Sequence, residues 1–127
     1  MKDFDVWNEK KKDIHIKNEN KLYHSREIWW CLLGINIGFE EDGTGKIAER
    51  PVLVLKGFSK HVCLIIPLTT SKKKNPYHVG LGKIDGKDAF AIISQLRLID
   101  TKRLINKVET LDEGLFETIR KAVKDIL

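Results

Sequence analysis

The sequence predicts a mainly β domain, a small barrel or a strongly bent sheet, finished by one C-terminal helix. Three observations carry this expectation. Short apolar runs rich in valine, isoleucine and leucine recur between Arg26 and Ile99, separated by glycine, asparagine, aspartate and lysine, the punctuation of strands and turns. Five or six such runs at this spacing suit a small barrel or a bent sheet. After residue 110 the apolar period changes from strand-like to helical. A chain of 127 residues fits one domain around one core.

The elements follow in order. Residues 1–24 are polar, lysine-rich and poor in aliphatics. Phe4, Trp7 and Ile14 fall near helical spacing, so residues 3–13 are expected to form a short amphipathic helix in an N-terminal extension, with the main domain spanning 25–127. From Ile28 to Leu33 every residue is apolar, which predicts a strand buried on both faces. Gly38 to Lys46 is a loop of turn formers. Val52–Leu55 forms a second strand, with Pro51 tolerated at its start. Val62–Ile66 forms a third, Lys72–Pro76 a polar loop and His78–Leu81 a fourth strand. Asp85-Gly86 marks a turn. Phe90–Ile93 begins a fifth strand, which Gln95–Ile99 either continues or follows as a sixth. Asp100–Leu104 reads as one helical turn. Thr110 and Glu113 have capping-box spacing, and Leu115, Ile119, Ala122, Val123 and Ile126 then mark one apolar helix face.

Composition narrows the class. The chain is 42% hydrophobic and 32% charged, the balance of a globular domain. No apolar run approaches the ~20 residues that span a bilayer, and Met1-Lys2-Asp3-Phe4-Asp5 lacks the apolar stretch of a signal peptide. A cytoplasmic protein without a membrane partner is expected. Cys31 and Cys63 sit in apolar runs without Cys-x-x-Cys spacing and read as small buried hydrophobes. The net charge of +5 and pI near 9.2 are compatible with a polyanionic partner. Lysines cluster at Lys10–Lys12 and Lys72–Lys74, where solvated loops or helix faces are equally good readings.

Residue patterns alone name no enzyme class. His15, His24, His61 and His78 are dispersed, without zinc-ligand spacing. Glu40-Glu41-Asp42 lacks the alternation of a calcium loop and reads as an acidic loop. Gly43-Thr44-Gly45-Lys46 superficially resembles a phosphate loop, but Glu40 replaces its first glycine and Ile47 follows the lysine. No serine occupies a Gly-x-Ser-x-Gly elbow. Trp29 and Trp30, mid-strand, read as core.

Six segments carry a family resemblance: REIWWCLLG (26–34), ERPVLVL (49–55), IIPLTT (65–70), HVGL (78–81), SQLRLIDTKRL (94–104) and the closing helix. In this order and spacing they resemble the MazF/PemK toxins of type II toxin–antitoxin systems. The resemblance implies an SH3-like β-barrel with a C-terminal helix, usually a two-fold dimer. It also implies a ribosome-independent endoribonuclease that cleaves single-stranded RNA without metal or other cofactor, leaving a 2′,3′-cyclic phosphate, and that is inhibited by an acidic antitoxin protein.

The resemblance also implies roles for residues. In MazF-like members the catalytic pair is the arginine before the Pro-Val-Leu strand and the threonine after the following apolar strand, here Arg50 and Thr69. Glu40 in the acidic loop, Lys72, Lys73 and Lys74, and Gln95 and Arg97 of the Gln-x-Arg segment become RNA-binding candidates. The arginine and aspartate used by Kid/PemK-like members are replaced by Ile92 and Ser94, which places the chain with the MazF-like subset. The 38–50 loop is longer than in compact members, and many lack the 1–24 extension. Two other readings of the barrel compete. A CcdB-like gyrase poison works through a Trp-Gly-x-Ile-type end, unlike Lys124-Asp125-Ile126-Leu127. A non-catalytic binding module would not need both Arg50 and Thr69.

Overall fold

The computed structural model describes residues 22–34, 47–72 and 75–127. The expected N-terminal helix, the Lys10–Lys12 cluster, Glu40, the acidic loop, Lys73 and Lys74 lie outside these residues. Among the described residues, seven antiparallel strands form one sheet. They are β1 (Glu27–Gly34), β2 (Ile47–Gly57), β3 (Val62–Thr69), β4 (His78–Ile84), β5 (Lys87–Ile92), β6 (Arg97–Asp100) and β7 (Leu104–Thr110). One helix, α1 (Glu113–Ile126), ends the chain. The strand order is β4-β5-β3-β2-β1-β7, with β6 added to the outer half of β3. No pairing joins β4 to β7 among the described residues, so the structure is the bent-sheet form of the expectation, with its ladder open at that seam.

The central strands form because their residues are apolar on both sides of the pleat. Ile28, Leu53, Ile66 and Leu68 turn toward α1 and the β4–β5 hairpin. Cys31, Val52, Val54, Cys63 and Ile65 turn the other way, into a second cluster with Ile99 and Leu104. Side chains such as Leu53, Ile65 and Ile66 are wholly buried, each contributing roughly 1.5–3 kcal/mol of transfer free energy. The helix lays Phe116, Ile119 and Val123 on the first cluster. This face is rotated from the sequence reading: Phe116 is core, whereas Ile126 is exposed. The helix cap also differs. Asp112 accepts the Leu115 amide at 3.1 Å, whereas Thr110 is occupied in the β7 ladder opposite Glu27.

β7 was not expected from the sequence. Its only fully buried side chain is Leu104, so its apolar alternation is faint. The expected turn at 100–104 is a short 3-10 turn over Thr101–Arg103, started by the Asp100 carboxylate, which accepts the Lys102 amide. Gly82, at φ +78°, follows the bulge that bends β4; glycine takes this conformation without a Cβ clash.

Candidate active site

Arg50 and Thr69 come from different strands of the central sheet. The β2–β3 ladder ends at Val52 and Pro67, and Arg50 and Thr69 each lie two residues beyond that last pair. Both alternate onto the face that carries Val52, Val54 and Ile65. They sit where that face runs out of apolar cover: Arg50 is exposed and Thr69 half-buried. At the open end of the sheet both also border a cavity of about 290 Å³, whose walls include Trp30, Pro51 and, from the cluster beneath α1, Leu68, Ile84 and Val108. Glu49, Asp85 and Lys87 add its charged groups. The cavity lies at the open seam between the β4–β5 turn and the β1–β7 edge.

The local chemistry of the two residues differs. Thr69 Oγ1 accepts the backbone amide of Ser71 at 3.1 Å. This turn fixes the oxygen and leaves the hydroxyl proton available as a donor. Arg50 has no hydrogen bond or ion pair among the described residues, so its guanidinium fork is open to an anion.

The remaining candidates are dispersed. Lys72 is exposed and lies 3.9 Å from Asp88, which Lys83 approaches more closely, at 3.4 Å. Gln95 ends a 3-10 turn and Arg97 begins β6, both exposed and neither lining the cavity. Arg97 pairs with Ile65 and so shares the face of Thr69, four residues away along β3, or about 13 Å. His78 pairs with Ile92 at the far end of the β4–β5 hairpin. Its buried Nδ1 has no hydrogen-bond partner among the described residues.

Several neighbouring groups serve structure. Trp29 is buried as expected and donates its Nε1 proton to Glu27 at 2.9 Å. Trp30, also read as core, is only half-buried and forms a cavity wall. Burial pushes the Cys31 thiol up to about 12 and the Cys63 thiol up to about 11. Neither supplies a thiolate near neutral pH. Among the described residues, no group of three or more histidines, cysteines or carboxylates is arranged to hold a metal ion. No described helix is long and apolar enough to cross a membrane.

The family model for PemK-like, MazF-like toxins of type II toxin–antitoxin systems matches residues 24–127. The chain belongs to this toxin family. Solved structures with the same fold include MazF from Deinococcus radiodurans, at 16% identity and a TM-score of 0.63, covering 84% of this chain and 96% of that one. Toxin MazF-mt6 from Mycobacterium tuberculosis matches at 16% identity and a TM-score of 0.61, covering 79% and 94%. A mycobacterial endoribonuclease solved with its cognate antitoxin matches at 13% identity and a TM-score of 0.61, covering 82% and 93%. No curated protein matches the sequence. The resemblance read from the six segments is thus confirmed at the level of family and fold. Sequence reasoning missed the cavity walls Trp30 and Val108; Val108 belongs to the strand that was not anticipated.

Proposed function

We propose that this toxin is a metal-independent endoribonuclease that cleaves single-stranded RNA using the substrate's own 2′-hydroxyl. The observation that carries this reading is that Arg50 and Thr69 line one cavity at the open end of the sheet, in a chain of the MazF-like family. In the reaction the 2′-oxygen attacks phosphorus, the P–O2′ bond forms and the P–O5′ bond breaks. The 2′-hydroxyl gives up its proton and the departing 5′-oxygen gains one. The products are a 2′,3′-cyclic phosphate and a 5′-hydroxyl.

The protein supplies no nucleophile. Its task is to hold the phosphate and stabilise the charge that builds on the phosphorane. Arg50 can place two parallel N–H donors on the non-bridging oxygens. The Thr69 hydroxyl, its oxygen fixed by the Ser71 amide, donates to the same group. Arg97, on the same face about 13 Å away, takes a phosphate further along the strand, and the exposed Lys72, three residues after Thr69, adds positive charge. The shared surface also accounts for an antitoxin: an acidic disordered segment can occupy the same groove of a toxin homodimer, competing with RNA for Arg50.

The test is to incubate purified protein with long single-stranded RNA in excess EDTA and to determine the ends of the fragments. Discrete cuts ending in 2′,3′-cyclic phosphate are expected. Cleavage that appears only when Mg²⁺ is restored would overturn the metal-independent mechanism, and intact RNA under all conditions would overturn the activity itself.

A further inference from the structure

The strand beside Thr69 carries a residue that the proposed chemistry does not use. β5 pairs with β3 at two positions, Leu68 with Ala91 and Thr69 with Phe90. Leu68 and Ala91 point into the cluster beneath α1. Thr69 and Phe90 therefore turn together to the opposite face, as directly opposed cross-strand neighbours whose Cβ atoms stand about 4.5–5.5 Å apart. On its other side Phe90 pairs with Gly80. A Cβ at Gly80 would lie 3.7 Å from Phe90 Cε2 and 3.8 Å from Cδ2, so the ring rests against bare backbone with no competing side chain. The ring is half-buried: it is supported by the sheet and still presents apolar surface to solvent.

The neighbouring charges are mixed. Two residues along β5 on the same face, Asp88 is flanked by Lys72 and Lys83, both largely exposed. An aromatic ring fixed on a sheet, with lysines two residues along the same strand face, suits single-stranded nucleic acid, charge tracking the backbone and the ring stacking a base. One strand spacing, roughly 4.8 Å, separates it from Thr69. Phe90 does not line the cavity, whose β5 walls are Lys87 and Ala89, so its ring stands beside the site, on the outer face next to Thr69.

We propose that Phe90 is a stacking platform for the nucleobase adjoining the scissile phosphate, a base subsite one strand away from the Arg50–Thr69 pair. The proposal rests on the endoribonuclease reading and adds a subsite to it. Stacking is tolerant of base identity, so this subsite contributes affinity and position, while sequence choice is made elsewhere.

The experiment uses a mapped RNA substrate, a version with a 2′-deoxy nucleotide at the cut site for binding, and versions made abasic at either nucleotide flanking the scissile bond. Wild type is compared with Phe90→Leu, which keeps an apolar contact on Gly80 but removes the π face, and with Phe90→Trp. Phe90→Leu should weaken binding of the uncleavable RNA by roughly tenfold, within the range of a lost stack, and Phe90→Trp should restore it. Wild type should lose a similar factor on one of the abasic RNAs, and Phe90→Leu should lose nothing further on that RNA. Equal affinity of wild type and Phe90→Leu, or an equal abasic penalty in both, overturns the subsite while leaving the endoribonuclease reading intact. Failure of wild type to cleave or bind RNA overturns both.

Discussion

Glu27 and Arg50 are both charged residues on central strands, yet their surroundings are opposite. Glu27 is buried at the start of β1. Its carboxylate accepts the Trp29 indole proton and the His24 amide at 2.9 Å each, and Lys107 lies 3.3 Å away. Burial alone would raise its pKa, but hydrogen bonds from Trp29, His24 and Lys107 outweigh burial and hold the carboxyl below its ordinary value. Arg50 lies where the sheet loses its apolar cover, exposed and without a partner among the described residues. The first charge is satisfied within the fold, and the second has no partner among the described residues. That difference separates the groups that build this protein from those proposed to act on RNA.

The largest expected effect follows from removing the open charge. Arg50→Ala should lower kcat/KM for RNA cleavage by roughly 100- to 1,000-fold, the usual loss for one preorganised donor to a developing anion. Its melting temperature should change little, because the side chain is exposed and has no hydrogen bond or ion pair among the described residues. Arg50→Lys should recover only part of the rate, since an ammonium lacks the planar fork. Rate measurements alongside thermal melts would check both halves, and an active Arg50→Ala protein would remove this arginine from the mechanism.

Glu27→Ala inverts the pattern. It leaves the Trp29 indole and Lys107 without their acceptor, at a cost of about 2–3 kcal/mol in stability, while the cleavage rate per folded molecule should hold. The pH dependence has a definite sign. A carboxyl with a depressed folded pKa contributes stability that is fully present above its unfolded pKa, about 4.3. That stability is lost as pH falls through the lower folded value. Acid unfolding of wild type should therefore be steeper below pH ~4.3 than that of Glu27→Gln, which has no proton to bind at this position. Superimposable acid transitions would show that Glu27 does not report on folding.

The same contrast explains what the sequence disclosed. β1, the middle of β2 and β3 were legible because burial on both faces writes continuous apolar runs, and β4 and β5 were read from shorter runs set off by turn residues. β7 was not, because Ile105 to Thr110 lie half-buried or exposed at the end of the sheet and carry mixed chemistry. The helix cap was misplaced by two residues because the β7 ladder occupies Thr110, leaving Asp112 to cap. In the site, Arg50 and Thr69 each look like ordinary strand-end residues, and only the family resemblance singled them out. Their approach to one cavity depends on how β2 and β3 pair in space, which a sequence pattern does not fix. The Trp30 and Val108 walls meet through the β1–β7 pairing, invisible without β7. Phe90 passed as one more strand aromatic until its neighbours, Thr69 and Gly80, were known.

Lys72 offers the smallest and most discriminating test. It is exposed, and its 3.9 Å approach to Asp88 is long and shared with Lys83. Such a surface pair contributes between nothing and about 1 kcal/mol, so Lys72 can turn to a phosphate at little cost. Lys72→Gln should leave the melting temperature within about a degree or two and weaken RNA binding several-fold at low salt. Its slope of log affinity against log salt should become shallower by roughly 0.7, the change for one lost phosphate contact on a single strand. Lys107→Gln is the matched control. It removes an equal charge, but one held by Glu27, so it should lower the melting temperature and leave the salt slope unchanged. Titrations of uncleavable RNA from low to moderate salt would separate the two variants. Identical slopes for Lys72→Gln and wild type would return Lys72 to the solvated loop that composition alone allows. A shallower slope for Lys107→Gln would break the distinction between charges spent on the fold and charges open to RNA.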